Sequence, residues 1–358
     1  IGDYVYFVTD SYDHHYVAGE PIIPRILDGG KELSNKCSGT VKCFAPDIYY
    51  FDIPYNRYNF TTVTAINVKK HGENINGEVY MLSGSQNMYV SPKNMYITYT
   101  KYISENDISI EVMREVIYPL LAKTEQDKIA KIEKTENYIL SRYEKTKKIK
   151  AILEKYLDGL ADVKYDKLED ELEKKLEKKY KELLPEMEKT VIHKIAINKN
   201  KLEYKTSGEV TGKVLNQFSM DENNKEYFRI ATTRSRTWSY YNQGSTESYN
   251  NLYVLDKDLK IVGKLEGLAK DEKIYSVRFM QNRAYMVTFK QVDPLFVIDL
   301  KDPTKPKVLG KLKIPGFSDY LHPYDDTTLI GVGKSTEVNS SGGVITTGVK
   351  LSLFDVSD

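Results

Sequence analysis

The sequence repeats itself between Asn251 and Lys334, and that repeat limits the fold more than any other feature. Leu252-Tyr253-Val254-Leu255-Asp256 is answered by Leu295-Phe296-Val297-Ile298-Asp299. Lys260-Ile261-Val262-Gly263-Lys264-Leu265 is answered by Lys307-Val308-Leu309-Gly310-Lys311-Leu312. Two further short apolar segments follow in each copy: Ser276–Met280 then Ala284–Thr288, and Ser318–Leu321 then Leu329–Gly333. A period of roughly 43 residues carrying four strands is the signature of a propeller blade, a unit that buries both its faces only between neighbours. Taking Leu252 and Leu295 as blade openers makes Ala284 and Leu329 the starts of fourth strands. The same fourth-strand pattern recurs near Tyr4, Met95 and Phe228, so about five blades are represented. On that phase the chain opens on a fourth strand and closes, at Val349–Val356, on a first. The expectation is an all-β propeller, truncated, whose parent has six to eight blades.

The strand pattern is interrupted once. From Asp107 to Met187 there are one Gly and two Pro in a dense mixture of Glu, Lys, Leu and Ile. Ile132, Ile139, Thr146, Ile149, Leu153, Tyr156 and Leu160 recur at three- and four-residue steps, as do Tyr165, Leu168, Leu172, Leu176, Leu183 and Met187. This spacing predicts helices over 107–122, 124–158 and 165–188, the second opened by Thr124 and Asp127 and the last two joined at Gly159. The narrow apolar stripe suggests an antiparallel coiled-coil hairpin inserted into the propeller. The expected organisation is propeller over 1–103, hairpin over 104–189, and propeller again over 190–358. The hairpin reads either as self-contained or as a projecting arm that pairs with a second subunit or another protein.

Charge and motifs exclude several classes. The 358 residues carry a net charge of +1, so no global field draws the chain to nucleic acid or an anionic membrane. No apolar run approaches the ~20 residues that span a bilayer. The abrupt start at Ile1-Gly2-Asp3, inside a strand pattern, suggests an excised fragment. The abundance of Lys and Glu suits a thermophile's surface. No Gly-rich phosphate loop, G-x-S-x-G or H-E-x-x-H is present, and no cofactor or metal is implied. His14 and His15, beside Asp10 and Asp13, read as a solvated loop, because adjacent side chains on an extended chain point apart. His193, between apolar neighbours, reads as packed or solvent-facing.

Cys37 and Cys43, the only cysteines, flank Gly39, which offers the turn that brings them together. In an oxidising compartment they form a local disulfide, and in a reducing one a pair of thiols. A closed zinc site would lack two ligands. Asn59-Phe60-Thr61 and Asn339-Ser340-Ser341 fit the N-glycosylation pattern, which matters only for an exported protein.

Two clusters are candidates for function. The segment 234–248 mixes Arg234 and Arg236 with Trp238, Tyr240 and Tyr241, the combination binding surfaces use. Of the polar residues Gln217, Asp221, Arg229, Arg278, Asp293, Asp319 and His322, several fall near strand ends or turns, where a central channel or blade mouth would be. Arg278, Asp319 and His322 either pair with their neighbours and staple adjacent blades, or line a site for an anionic or sugar-like ligand, with catalysis as the sharpest possibility.

Val214–Glu222 (VLNQFSMDE), Arg229–Thr233 (RIATT), Ile274–Phe279 (IYSVRF), Val287–Leu300 (VTFKQVDPLFVIDL) and Lys313–Tyr324 (KIPGFSDYLHPY) resemble the secreted prokaryotic proteins that carry a C-terminal β-propeller distantly related to WD repeats. The resemblance runs from about Glu209 to the end and from Gly2 to Tyr102, leaving the helical insertion outside its motifs. It implies a propeller, export, and a place outside the cell or at its surface, and it carries no reaction with it. The function expected is an extracytoplasmic, non-catalytic binding module with a helical arm for a protein or cell-surface partner or for self-association. A hydrolase or lyase using Asp319, His322 and Arg278, and a structural envelope component assembled through the arm, are the alternatives.

Overall fold

The computed structural model describes residues 1–12, 16–17, 20–21, 27–28, 30–33, 44, 46–51, 59–70, 75–82, 87–103, 105–136, 139–140, 142–239, 244–289, 293–314, 316–339 and 343–357. These residues form five main sheets in succession, three two-stranded ribbons and one helical insertion. Sheet 1 pairs Tyr4–Tyr12 with Asn59–Asn67 and that strand with Asn76–Leu82, while Ile48–Tyr49 adds a short parallel edge. Sheet 2 is the meander Asn87–Val90, Asn94–Tyr102, Glu188–Asn198 and Lys201–Thr211. Sheet 3 sets Lys213–Val214 and Met220–Glu222 along Phe228–Arg234, then adds Tyr249–Leu255 and Ile261–Leu268. Sheet 4 runs Lys273–Met280, Arg283–Phe289, Asp293–Asp299, Lys307–Ile314. Sheet 5 runs Phe317–Pro323, Thr328–Val338, Val344–Asp355.

The blade period is therefore present, but its phase is shifted by half a unit. Leu252–Leu255 and Leu295–Asp299 are third strands, and Ala284–Thr288 lies in a second strand. A repeat fixes how often a unit recurs, whereas hydrogen bonding decides which four segments make one sheet. The two-residue turn Gln281-Asn282, with Gln281 at φ 48°, ties Met280 to Arg283 and so places Ser276–Met280 before Ala284 in the same sheet.

Side-chain alternation turns these sheets into a stack. In sheet 3, Tyr253 and Leu255 join Tyr96, Ile192 and Phe228 in the core against sheet 2. Leu252 and Val254 face the other way, joining Val277, Met286 and Ile298 of sheet 4. Sheet 4 repeats the device: Ala284 and Met286 pack toward sheet 3, Tyr285 and Val287 toward Leu321, Leu329 and Phe354 of sheet 5. Both faces of an inner sheet are dry, which is why its strands read as near-continuous apolar runs. Close approach between neighbouring strands is built in at Gly333, where a Cβ would lie 1.8 Å from the Phe317 carbonyl oxygen.

The insertion differs from the expected coiled-coil hairpin. Four helices, α1 (Glu105–Ile117), α2 (Lys123–Lys134), α3 (Arg142–Asp158) and α4 (Asp162–Leu183), enclose one core. Val112, Ile117, Ile129, Leu153, Leu172 and Tyr180 are buried in it. The stripe read as a two-helix seam is shared among all four helices, so it closes on itself. The expected helix over 124–158 is broken after Lys134, and Ile139, one of its stripe residues, is exposed. Ala122, not Thr124, occupies the cap position of α2, and the Thr124 hydroxyl donates to Glu125 instead. The bundle leaves and re-enters the propeller between two strands paired as far as Tyr102↔Glu188.

Candidate functional site

In a meander, the first-to-second and third-to-fourth turns lie at one edge of each sheet, and the second-to-third connections lie at the other. The bundle and the segment 235–248 both connect second to third strands, in sheets 2 and 3 respectively. They therefore leave from the same face of the stack. The two are joined to each other. Glu188, buried at the foot of the bundle, accepts from the Ser235 backbone N–H at 2.6 Å and from its hydroxyl at 3.0 Å. Arg234 is only 2% exposed; it donates to Thr246 Oγ1 at 2.7 Å, to the Glu247 carbonyl at 3.3 Å and to the Leu184 carbonyl of the bundle at 3.3 Å. Its guanidinium also lies 5.8 Å over the Tyr249 ring. Arg234 thus braces the surface rather than forming part of it. Arg236 is exposed and paired to Asp271 at 2.7 Å. Trp238 lies in a short ribbon, Trp238–Ser239 against Gly244–Ser245. Tyr240, Tyr241, Cys37, Cys43, His14 and His15 lie outside the described residues.

The polar inner-strand residues divide into two groups. Arg229, 3% exposed, donates through Nε to Asp221 Oδ2 at 2.8 Å and through an NH to the Gln281 carbonyl at 2.6 Å, with its guanidinium 5.2 Å over Phe279. This is a staple between sheets 3 and 4: a buried cation neutralised by its own sheet and hydrogen-bonded to the next. Arg278, Asp319 and His322 are not mutually paired. The Arg278 guanidinium lies 5.0 Å over the Phe218 ring, Phe218 meets Tyr320 edge-on at 5.3 Å, and the Tyr320 phenol sits 3.0 Å from His322 Nδ1. Asp319 is exposed at a bulge in its strand and makes no hydrogen bond or ion pair to any described residue. The first strands of sheets 4 and 5 and the turn Gln217–Ser219 touch one another, so these side chains share the inner rim of the stack. Among the described residues, the rim carries guanidinium donors of Arg278 that meet no hydrogen-bond acceptor.

Sheets 1 and 2 meet in an aromatic box that the sequence pattern did not reveal. Phe51, Tyr99 and Tyr204 surround His193, with ring centroids 4.4, 5.7 and 5.9 Å away. His193 Nδ1 lies 3.2 Å from the Tyr204 phenol, and its buried Nε2 has no partner among the described residues. Burial pushes its pKa down to about 4. Nearby, burial raises the pKa of the Glu78 carboxyl, an effect only partly offset by the hydrogen bond it accepts from Tyr80.

Among the described residues no helix is long and apolar enough to cross a membrane, and no group of three or more His, Cys, Asp or Glu could hold a metal ion. An uncharacterized protein of Methanocaldococcus jannaschii is 38% identical over 315 residues, 87% of this chain and 46% of its own length. One of Archaeoglobus fulgidus is 37% identical over 370 residues, 100% of this chain and 51% of its own length. The chain therefore spans about half the length of the curated relatives it matches. A crystal structure of an ACO/RPE65 chimera aligns with 84% of this chain and 53% of its own at 9% identity, with a TM-score of 0.36, too low to carry an argument. The family model described as a beta propeller domain matches residues 1–358. With five main sheets of three to five strands beneath that match, the chain belongs to the β-propeller domain family.

Proposed function

We propose that this chain is a non-catalytic recognition module acting outside the cytoplasm, which offers one face of its propeller to a protein or cell-surface partner. The observation that carries the reading is the weld between Glu188, Ser235, Arg234 and Leu184, which joins the bundle to the 235–248 segment. Two excursions from neighbouring blades held at fixed geometry make a composite surface whose ordering cost is met on folding, before any partner arrives. Recognition then falls to the bundle's outer face, Arg236 and the aromatic segment from Trp238 to Tyr241. Self-association through a coiled-coil seam is the weaker reading, because Leu168, Leu172 and Leu176 are already buried inside the bundle. Catalysis at the rim is weaker still, given the unpaired Asp319 and the exposed His322.

The test compares the chain with a version in which residues 104–187 are replaced by a short turn. Both are immobilised and exposed to detergent-solubilised envelope proteins of the source cell, and bound proteins are identified by mass spectrometry. A partner retained by the first and lost by the second supports the reading. The same set of proteins on both, with equal mass by light scattering, would reject it.

A further inference from the structure

The face opposite the bundle carries a second feature, at the seam between sheets 3 and 4. The neighbouring seam, between sheets 2 and 3, is closed on that face by side chains. Lys93 Nζ reaches Glu226 at 2.8 Å, Asn94 Nδ2 donates to Glu222 at 2.7 Å, and Lys194 Nζ donates to the Lys257 carbonyl at 3.1 Å. Between sheets 3 and 4 the only comparable crossing among the described side chains lining that edge is Arg229 to the Gln281 carbonyl. There the seam opens into a cleft of about 580 Å³, within the range of small-molecule sites.

The lining is amide, carboxylate and aromatic. Asn224 stands on the rim contributed by sheet 3 and Asn282 on the rim contributed by sheet 4, both exposed. Neither side-chain amide makes a hydrogen bond to any described residue, so each keeps a donor and an acceptor. At the base, Arg229 occupies one oxygen of Asp221 and leaves the other as an acceptor. Glu222 accepts from Asn94 Nδ2 through one of its oxygens. Tyr227 lines the cleft with a half-buried ring. Charge is close to balanced there, with Asp221 and Glu222 set against Arg229, Lys225 and Lys301, so neither an anion nor a cation is selected strongly. A neutral ligand bearing many hydroxyls fits this set. Amides serve vicinal hydroxyl groups as both donor and acceptor, carboxylates accept from them, and an aromatic ring covers the C–H face of a sugar.

We propose that this cleft is a carbohydrate-binding site that takes a pyranose ring between Asn224 and Asn282. It is independent of the partner face, and excising residues 104–187 leaves its lining intact.

The experiment is ligand-observed saturation-transfer NMR on the full chain, using the methyl glycosides of glucose, galactose, mannose and N-acetylglucosamine, with inorganic phosphate as the charged probe. At least one glycoside should bind saturably. The combined variant Asn224→Ala with Asn282→Ala should weaken that binding by about tenfold or more, the effect of losing two hydrogen bonds. Both residues are exposed, so its melting temperature should match the parent's, and Glu337→Ala, exposed in sheet 5, should bind like the parent. The proposal is overturned if no glycoside saturates, or if the double variant binds as the parent does. It is equally overturned if phosphate alone binds and is lost with Lys301→Ala, which would make the cleft an anion site.

Discussion

His193 makes the acid limb of the stability curve a direct measure of how dry the seam between sheets 1 and 2 is. The side chain is 2% exposed, boxed by Phe51, Tyr99 and Tyr204, and its Nε2 meets no described partner. Burial holds its pKa at about 4, against an ordinary value of 6.5. The unfolded chain takes up a proton as the pH falls through 6.5, whereas the folded chain resists until about pH 4. Within that window the unfolded state binds more protons, so stability falls as the pH falls. Two and a half pH decades at about 1.4 kcal/mol each give about 3 kcal/mol for the whole window, of which about 2 kcal/mol is lost between pH 7 and pH 4.5. The assay is denaturant unfolding of the parent and of His193→Phe at those two pH values. Phenylalanine keeps the ring and its stacking but cannot titrate, and carboxylates common to both proteins cancel in the difference. The parent should lose about 2 kcal/mol more than the variant. Equal losses would show that the imidazole titrates normally, and the dry box would have to be abandoned.

Three further expectations follow from the sheets. Arg229→Met strands the Asp221 carboxylate at the seam and should destabilise the protein by about 3–5 kcal/mol in denaturant melts, with Arg229→Met plus Asp221→Leu recovering much of the loss; a single variant as stable as the parent would remove the staple. Glu188→Ala leaves the Ser235 N–H without its acceptor and should cost about 1–3 kcal/mol, with faster hydrogen exchange across 235–248 as the local readout; unchanged exchange there would count against the weld. Replacing 104–187 by an Asn-Gly turn should keep the strand signal in circular dichroism while removing most of the helical one, since Tyr102 and Glu188 already face each other across a hairpin; a collapse of the strand signal would mean that the sheets need the bundle to fold.

The strands were legible because their signal is local. Alternating β-branched and aromatic residues mark each segment, and the repeat marks the unit. What the sequence withheld was pairing. Nothing between Leu252 and Asp256 says whether that strand is a first or a third, because the answer lies in a ladder with Phe228–Arg234 and in a turn at Gln281-Asn282. The bundle was misread for a related reason. Ile149, Leu153 and Leu172 carry helical spacing that suits a two-helix seam, and only their burial together with Val112 of α1 and Ile129 of α2 shows that four helices divide it. At the candidate site, residue types pointed to the segment 234–248 but could not separate Arg236, which faces water, from Arg234, which bolts that segment to the bundle. The partner of Ser235 is Glu188, 47 residues earlier in the chain. No window short enough to show a motif includes both. Asn224 and Asn282 went unremarked because each looks like an ordinary turn residue until the two sheets bring their turns to the same seam.

The way the bundle is mounted sets how it answers force. Its two ends enter the propeller at the same end of one hairpin, at Tyr102 and Glu188. A tug on the bundle would therefore load the hydrogen bonds of that hairpin one after another, like a zipper, instead of all at once in shear. Unsupported, such a mount peels at low load. Glu188 and Arg234 change the mechanics by sending part of the pull sideways into sheet 3. A bundle that holds a partner under tension would then fail first at the brace, and the blade beneath it would begin to unzip only after the brace had let go.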